Sequence, residues 1–159
     1  MHSELSHLTV PPELAWEFLG VFARSEYALK AAGFARGDDK RVDADWDAFA
    51  KEIANSFDPS KSQDVRTAVD YLLTKPPQKL VLKNKKLEFS DAPPDINERE
   101  TQRVLLMVRR VRNNLFHGGK FLPVPAGDPD RDKLLIQHSL TVLRACIPLY
   151  DHVAEAYDK

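Results

Sequence analysis

One cysteine, Cys146, is all the thiol this chain contains. A lone cysteine excludes an internal disulfide and every multi-cysteine zinc site, and it fits a reducing cytoplasm, the location expected here. No apolar run approaches the ~18 residues that a membrane-spanning helix needs. No signal-peptide pattern opens the sequence either, so no membrane partner is expected. An excess of one charge is also lacking: the formal net charge of −1 gives no global pull towards nucleic acid. Any such partner must be held by local patches. The six glycines form no phosphate-cradling loop and no Gly-x-Ser-x-Gly elbow, and no zincin pattern occurs.

What is present is helical periodicity. With 159 residues, 43% hydrophobic and 30% charged, the chain fits a single globular domain, 1–159, that can bury its own core. "PPELAWEFLGVFARSEYALKAAGF" carries Leu14, Phe18, Val21, Phe22 and Leu29 at helical spacing, with Gly33 or Gly37 to end the helix. "DADWDAFAKEIANSF" and "SQDVRTAVDYLLTK" predict two more helices, the latter stopped by Pro76-Pro77. In "INERETQRVLLMVRRVRNNLF" the stripe is Val104, Val108, Val111 and Leu115, with Asp95 or Asn97 available as a cap. "DRDKLLIQHSLTVLRACIPLYDHVAEAY" makes a last helix, with Leu135, Val142, Cys146, Leu149 and Val153 on one side, kinked at Pro148. Aromatic residues at helical spacing, Trp16, Phe18, Phe22 and Trp46, read as core. The exception is 79–90, where leucines alternate with lysines around Asn84-Lys85 as in a small β-hairpin or extended flap. The expected fold is all-α: a bundle of about five helices with that flap.

Two segments concentrate positive charge. Residues 101–120 hold Arg103, Arg109, Arg110, Arg112 and Lys120 without an acid, and 71–87 hold Lys75, Lys79, Lys83, Lys85 and Lys86, again without one. Arginine's planar fork suits phosphate oxygens, and lysines on a flap suit a polyanion backbone. A solvated helix face explains the same residues without a partner. No metal or cofactor is expected: Asp128, Asp130 and Asp132 alternate like calcium ligands, but Pro129 interrupts them and position 139 is serine. They read instead as the acidic start of a helix.

Within the first basic segment, "RNNLFHGGK" sets Arg112 five positions before His117, with Asn113 and Asn114 between and Gly118-Gly119 after. A histidine followed by glycines is also how a helix ends, with glycine capping and imidazolium answering the dipole. Arg110 with His117, and Arg131 with His138, satisfy similar spacings. Arg112 stands in line with Val108 and Leu115, so it is expected to face inward or towards a partner subunit and to want an anion there. His117, as an imidazole, can move a proton near neutral pH. The asparagines can hydrogen-bond a ribose or phosphate. Arg109 and Lys120 add charge beside them. Together these groups suffice to cleave RNA without a metal, by acid–base catalysis and stabilisation of the phosphorane.

The motif "RNNLFHGGK" resembles the Arg-x(4–6)-His motif of the HEPN superfamily, and "FARSEYALKAAGF" resembles the opening helix of several prokaryotic members. The resemblance implies a helical bundle, usually a homodimer, with two motifs meeting in a cleft between subunits. It implies metal-independent endoribonuclease activity on tRNA or single-stranded RNA, in toxin–antitoxin, phage-defence or RNA-processing systems, with an antitoxin or other regulatory protein as a possible partner. It carries Arg112 and His117 over as catalytic, Asn113 as their polar companion, and Glu26 and Lys30 as residues that orient the site. One toxin subgroup has a modifiable tyrosine two positions after the histidine; here that position is Gly119, which has no hydroxyl. Two other readings stay open: a module that binds RNA or a nucleotide without cutting it, and a structural helical dimer in which Arg112 and His117 only cap and pack.

Overall fold

The computed structural model describes residues 8–117 and 129–159. Helix α1, Pro12–Ala31, starts where prolines pre-set the first turn. It ends in a Schellman arrangement: Gly33 N–H donates to Lys30 O and Phe34 N–H to Leu29 O, with Gly33 at a φ of +94° that favours glycine. Phe34 then lies against the rings of Phe49 and Tyr150 at 5.5 and 5.0 Å.

Gly37 does not end a helix. It lies in a first hairpin, β1 (Ala35–Gly37) with β2 (Val42–Ala44), which the sequence reading did not anticipate. The Asp38 carboxylate holds its turn by accepting from the backbone N–H of Lys40 and Arg41. At Gly37 a Cβ would come within 2.0 Å of Arg41 O, so only glycine fits.

Helix α2, Trp46–Ile53, is capped by Asp45, which accepts from Ala48 N–H at 3.0 Å. After a 3-10 turn at Pro59–Lys61, Ser62 caps α3, Gln63–Thr74. The expected flap is a second antiparallel hairpin, β3 (Lys79–Lys83) with β4 (Lys86–Ser90), turning on Asn84 and Lys85. Helix α4 runs Glu100–Phe116. Neither Asp95 nor Asn97 caps it; Arg99 stands at that position without a side-chain cap, and Asp95 instead accepts from Asn97 N–H in the preceding turn.

The last helix is two. Helix α5, Pro129–Cys146, gives way to a 3-10 turn at Ile147–Leu149, and α6 resumes at Asp151–Asp158. Pro148 does more than kink the chain, because it has no N–H to carry the hydrogen-bond ladder onward, and Tyr150 is extended. The described residues therefore hold six α-helices and two small hairpins, not five helices and one flap.

The core lies between α1, α2, α3, α4 and α5, with α6 against α1. The expected stripe of α4 is buried throughout, and Phe18, Phe22, Leu72, Ile136, Leu143 and Cys146 meet it or its neighbours. Trp16 departs from expectation: it is 67% exposed, on the opposite side of α1 from Phe18 and Phe22. Among the described residues no helix is long and apolar enough to cross a membrane.

Candidate functional site

The C-terminal half of α4 forms one wall of a cleft of about 550 Å³. Phe22 and Glu26 of α1, Asp43 and Ala44 of β2, and Trp46 of α2 line it on one side, and Lys79 and Leu80 of β3 on another. From α4 come Leu106, Arg109, Arg110, Arg112, Asn113 and Asn114, with His117 just beyond its end. The fold thus brings Arg112 and His117 to one opening.

Arg112 does not enter the core with Val108 and Leu115. It is half-buried at the cleft wall, its guanidinium 5.5 Å over the Phe22 ring and 4.9 Å over the Phe116 ring. Both distances suit cation–π attraction. Its Nη1 donates to Asn113 Oδ1 at 3.0 Å, and it makes no ion pair with a carboxylate among the described residues. His117 is the C-terminal cap of α4, its backbone N–H donating to Asn113 O at 2.9 Å, while its side chain is exposed. Capping the helix and lining the cleft are therefore compatible. Gly118, Gly119, Lys120 and Asp128 lie outside the described residues.

The two asparagines have different surroundings. Asn113 is exposed and meets Arg112, whereas Asn114 is 6% exposed and its Nδ2 donates to Gln78 O at 2.8 Å. Arg109 pairs with Asp47 at 3.3 Å, and its Nε is buried without a hydrogen-bond partner. Glu26 Oε2 accepts from the Trp46 indole N–H at 3.1 Å. Lys30 does not line the cleft.

The rival spacings separate on geometry. Arg110 Nη1 donates to Pro77 O at 3.0 Å and to Ala92 O at 2.9 Å, gripping both ends of the β3–β4 hairpin. Partial burial pushes its pKa down from the ordinary arginine value. Arg131 donates to Lys75 O and Pro76 O, just before the same hairpin. His138 packs on the Tyr71 ring at 4.8 Å, where burial lowers its pKa. Neither Arg131 nor His138 reaches the cleft.

Sequence reasoning missed Asp43, Trp46, Lys79 and Leu80 as parts of this cleft. Trp46 is buried, as its apolar setting predicts, but its N–H also fixes Glu26. No pattern links it to Glu26, since helix packing alone joins them. The cations at the cleft, Lys79, Arg109, Arg110 and Arg112, outnumber the carboxylates Glu26 and Asp43, and the ion pairs Arg109–Asp47 and Asp43–Arg41 withdraw one charge from each side. Such a balance favours an anionic ligand. No group of three or more histidine, cysteine, aspartate or glutamate side chains among the described residues is placed to hold a metal ion. No family model, curated protein or solved structure matches the chain.

Proposed function

We propose that this chain is a metal-independent endoribonuclease of the HEPN kind, acting as a homodimer on tRNA or single-stranded RNA in a toxin, phage-defence or RNA-processing role. The observation that carries the reading is Arg112: a half-buried guanidinium, free of carboxylates among the described residues, beside Asn113 and His117 at an open cleft.

The chemistry is transesterification within the RNA. The 2′-oxygen attacks the adjacent phosphorus as it loses its proton, the P–O5′ bond breaks, and the 5′-oxygen leaves with a proton. His117 takes the first proton or supplies the second. Arg112 binds the non-bridging oxygens as charge grows on the phosphorane. Asn113, bonded to Arg112, holds the fork in place. A twofold axis at the cleft would bring Arg112 of each subunit to one phosphate. The products carry 2′,3′-cyclic phosphate and 5′-hydroxyl ends.

A binding module that does not cut is favoured by one feature, the 58% exposed Phe116 ring beside Arg112, which offers a stacking surface without chemistry. Purified chain and His117→Ala, each checked for folding by circular dichroism, separate the two on total tRNA and a single-stranded RNA in EDTA. Cleavage by the unaltered chain and none by the folded variant supports the ribonuclease. Binding without cleavage by both supports the module. Products ending in a 3′-hydroxyl, or activity abolished by EDTA, overturn the mechanism.

A further inference from the structure

One face of the β3–β4 hairpin is wholly apolar. Its register pairs Leu80 with Phe89 and Leu82 with Leu87, and alternation puts all four side chains on one side. Leu80, at the base, is half-buried and lines the cleft, while Leu82 and Leu87 further out are 69% and 57% exposed. The apolar face thus begins in the cleft and continues beyond its mouth.

The turn at its end is charged. Asn84 and Lys85 take φ of +51° and +63°, as a two-residue hairpin turn requires. Glycine is the residue such a turn prefers at its second position, and a lysine there is held in a strained backbone. Lys83 and Lys86 flank it, and Glu88 is the one acid between residues 79 and 90.

Building on the ribonuclease reading of the cleft, we propose that this hairpin extends the RNA site, seating unpaired nucleotides next to the segment in the cleft. Leu82 and Leu87 lie under base faces, and Lys85 at the turn holds the phosphates, with the long side chains of Lys83 and Lys86 reaching round from the opposite face. A single strand carries apolar base faces and a polyanionic backbone on one chain, which matches both halves of the hairpin. A duplex hides its base faces and offers only the phosphates. A second copy of this chain would cover the leucines but supply no counter-charge to the lysines at the turn, which a polyanion does.

The test uses the full chain, Lys85→Gly, and the pair Leu82→Ser with Leu87→Ser, all at exposed positions. The probes are a 2′-O-methyl oligonucleotide, which lacks the attacking hydroxyl, as a single strand and as a duplex, followed by fluorescence anisotropy in EDTA across a salt series. Lys85→Gly relieves the turn, yet we expect it to weaken single-strand binding and to flatten the log K against log salt slope by about 0.7. The leucine pair should weaken single-strand binding about fivefold or more without changing that slope, and should leave the duplex nearly unaffected. Hairpin variants that bind as the unaltered chain does, while Arg112→Ala binds worse, overturn the inference and leave the cleft reading intact. No binding to either probe by the unaltered chain removes the cleft reading, and the inference with it. A dimer lost on leucine substitution with RNA binding unchanged assigns the face to a second copy and also overturns it.

Discussion

Trp46 donates its indole N–H to Glu26 Oε2 at 3.1 Å, and this bond joins the start of α2 to the C-terminal half of α1 beside the cleft. The indole is buried against the Phe22 ring at 5.3 Å, so Trp46→Phe keeps much of the packing and removes the donor. A hydrogen bond to a charged group contributes about 1.5–3 kcal/mol. We expect a loss of that order in urea denaturation. The loss should shrink in a Glu26→Gln background, where the acceptor is no longer a charge. Equal losses in both backgrounds would mean that packing, not the bond, sets the cost.

Arg112→Lys keeps the charge and gives up the planar fork over Phe22 and Phe116. If Arg112 stabilises a phosphorane, cleavage should fall about a hundredfold, as for loss of one well-placed donor. The far-ultraviolet circular dichroism should be unchanged. Full activity in the lysine variant would show that a point charge is enough.

Arg110 is expected to be structural. Its grip on Pro77 O and Ala92 O closes the base of the hairpin, which Gln78 Nε2 and Asp91 Oδ1 also bridge at 2.8 Å. Arg110→Ala should cost about 2 kcal/mol locally. The readout is hydrogen exchange: amides of 79–90 should exchange faster while those of α3 and α5 stay protected. Uniform loss of protection would mean that the hairpin and the core unfold together.

His138 makes stability depend on pH. Burial beside Tyr71 depresses its folded-state pKa below the ordinary 6.5, so the unfolded chain binds a proton more readily. Its contribution is fully present above the unfolded value and is lost as pH falls through the folded one. Melting temperature should therefore drop on acidification from pH 7, and less steeply in His138→Gln. Identical slopes would exclude His138 as the source.

The parts of this molecule that were legible in advance are those written in local periodicity. Val104, Val108, Val111 and Leu115 recur at helical spacing and are buried, and the leucine–lysine alternation around Asn84-Lys85 is the β3–β4 hairpin. The β1–β2 hairpin was not legible, because Ala35–Gly37 and Val42–Ala44 are too short to show alternation and are mostly exposed. Trp16 misled because its aromatic type reads as core, whereas its offset of two residues from Phe18 puts it on the far face of α1. In the cleft, Arg112 and His117 are close in sequence, so their proximity could be read from one helix. Asp43, Trp46 and Lys79 reach them only through tertiary packing, which one sequence does not display.

The hairpin clamp leaves a charge unspent. Pro77 O and Ala92 O are dipoles, not anions; they accept from Arg110 Nη1 but cancel none of its positive charge, and no carboxylate among the described residues does so. A cation screened on one side by protein sends its potential out through the other, towards the opening that Arg110 also lines. The strut that holds the hairpin is thus a fixed source of field at the cleft. Its reach is set by the ionic strength of the medium, about 10 Å at 0.1 M salt, so the rate at which anions arrive should fall as salt is added even where no contact changes.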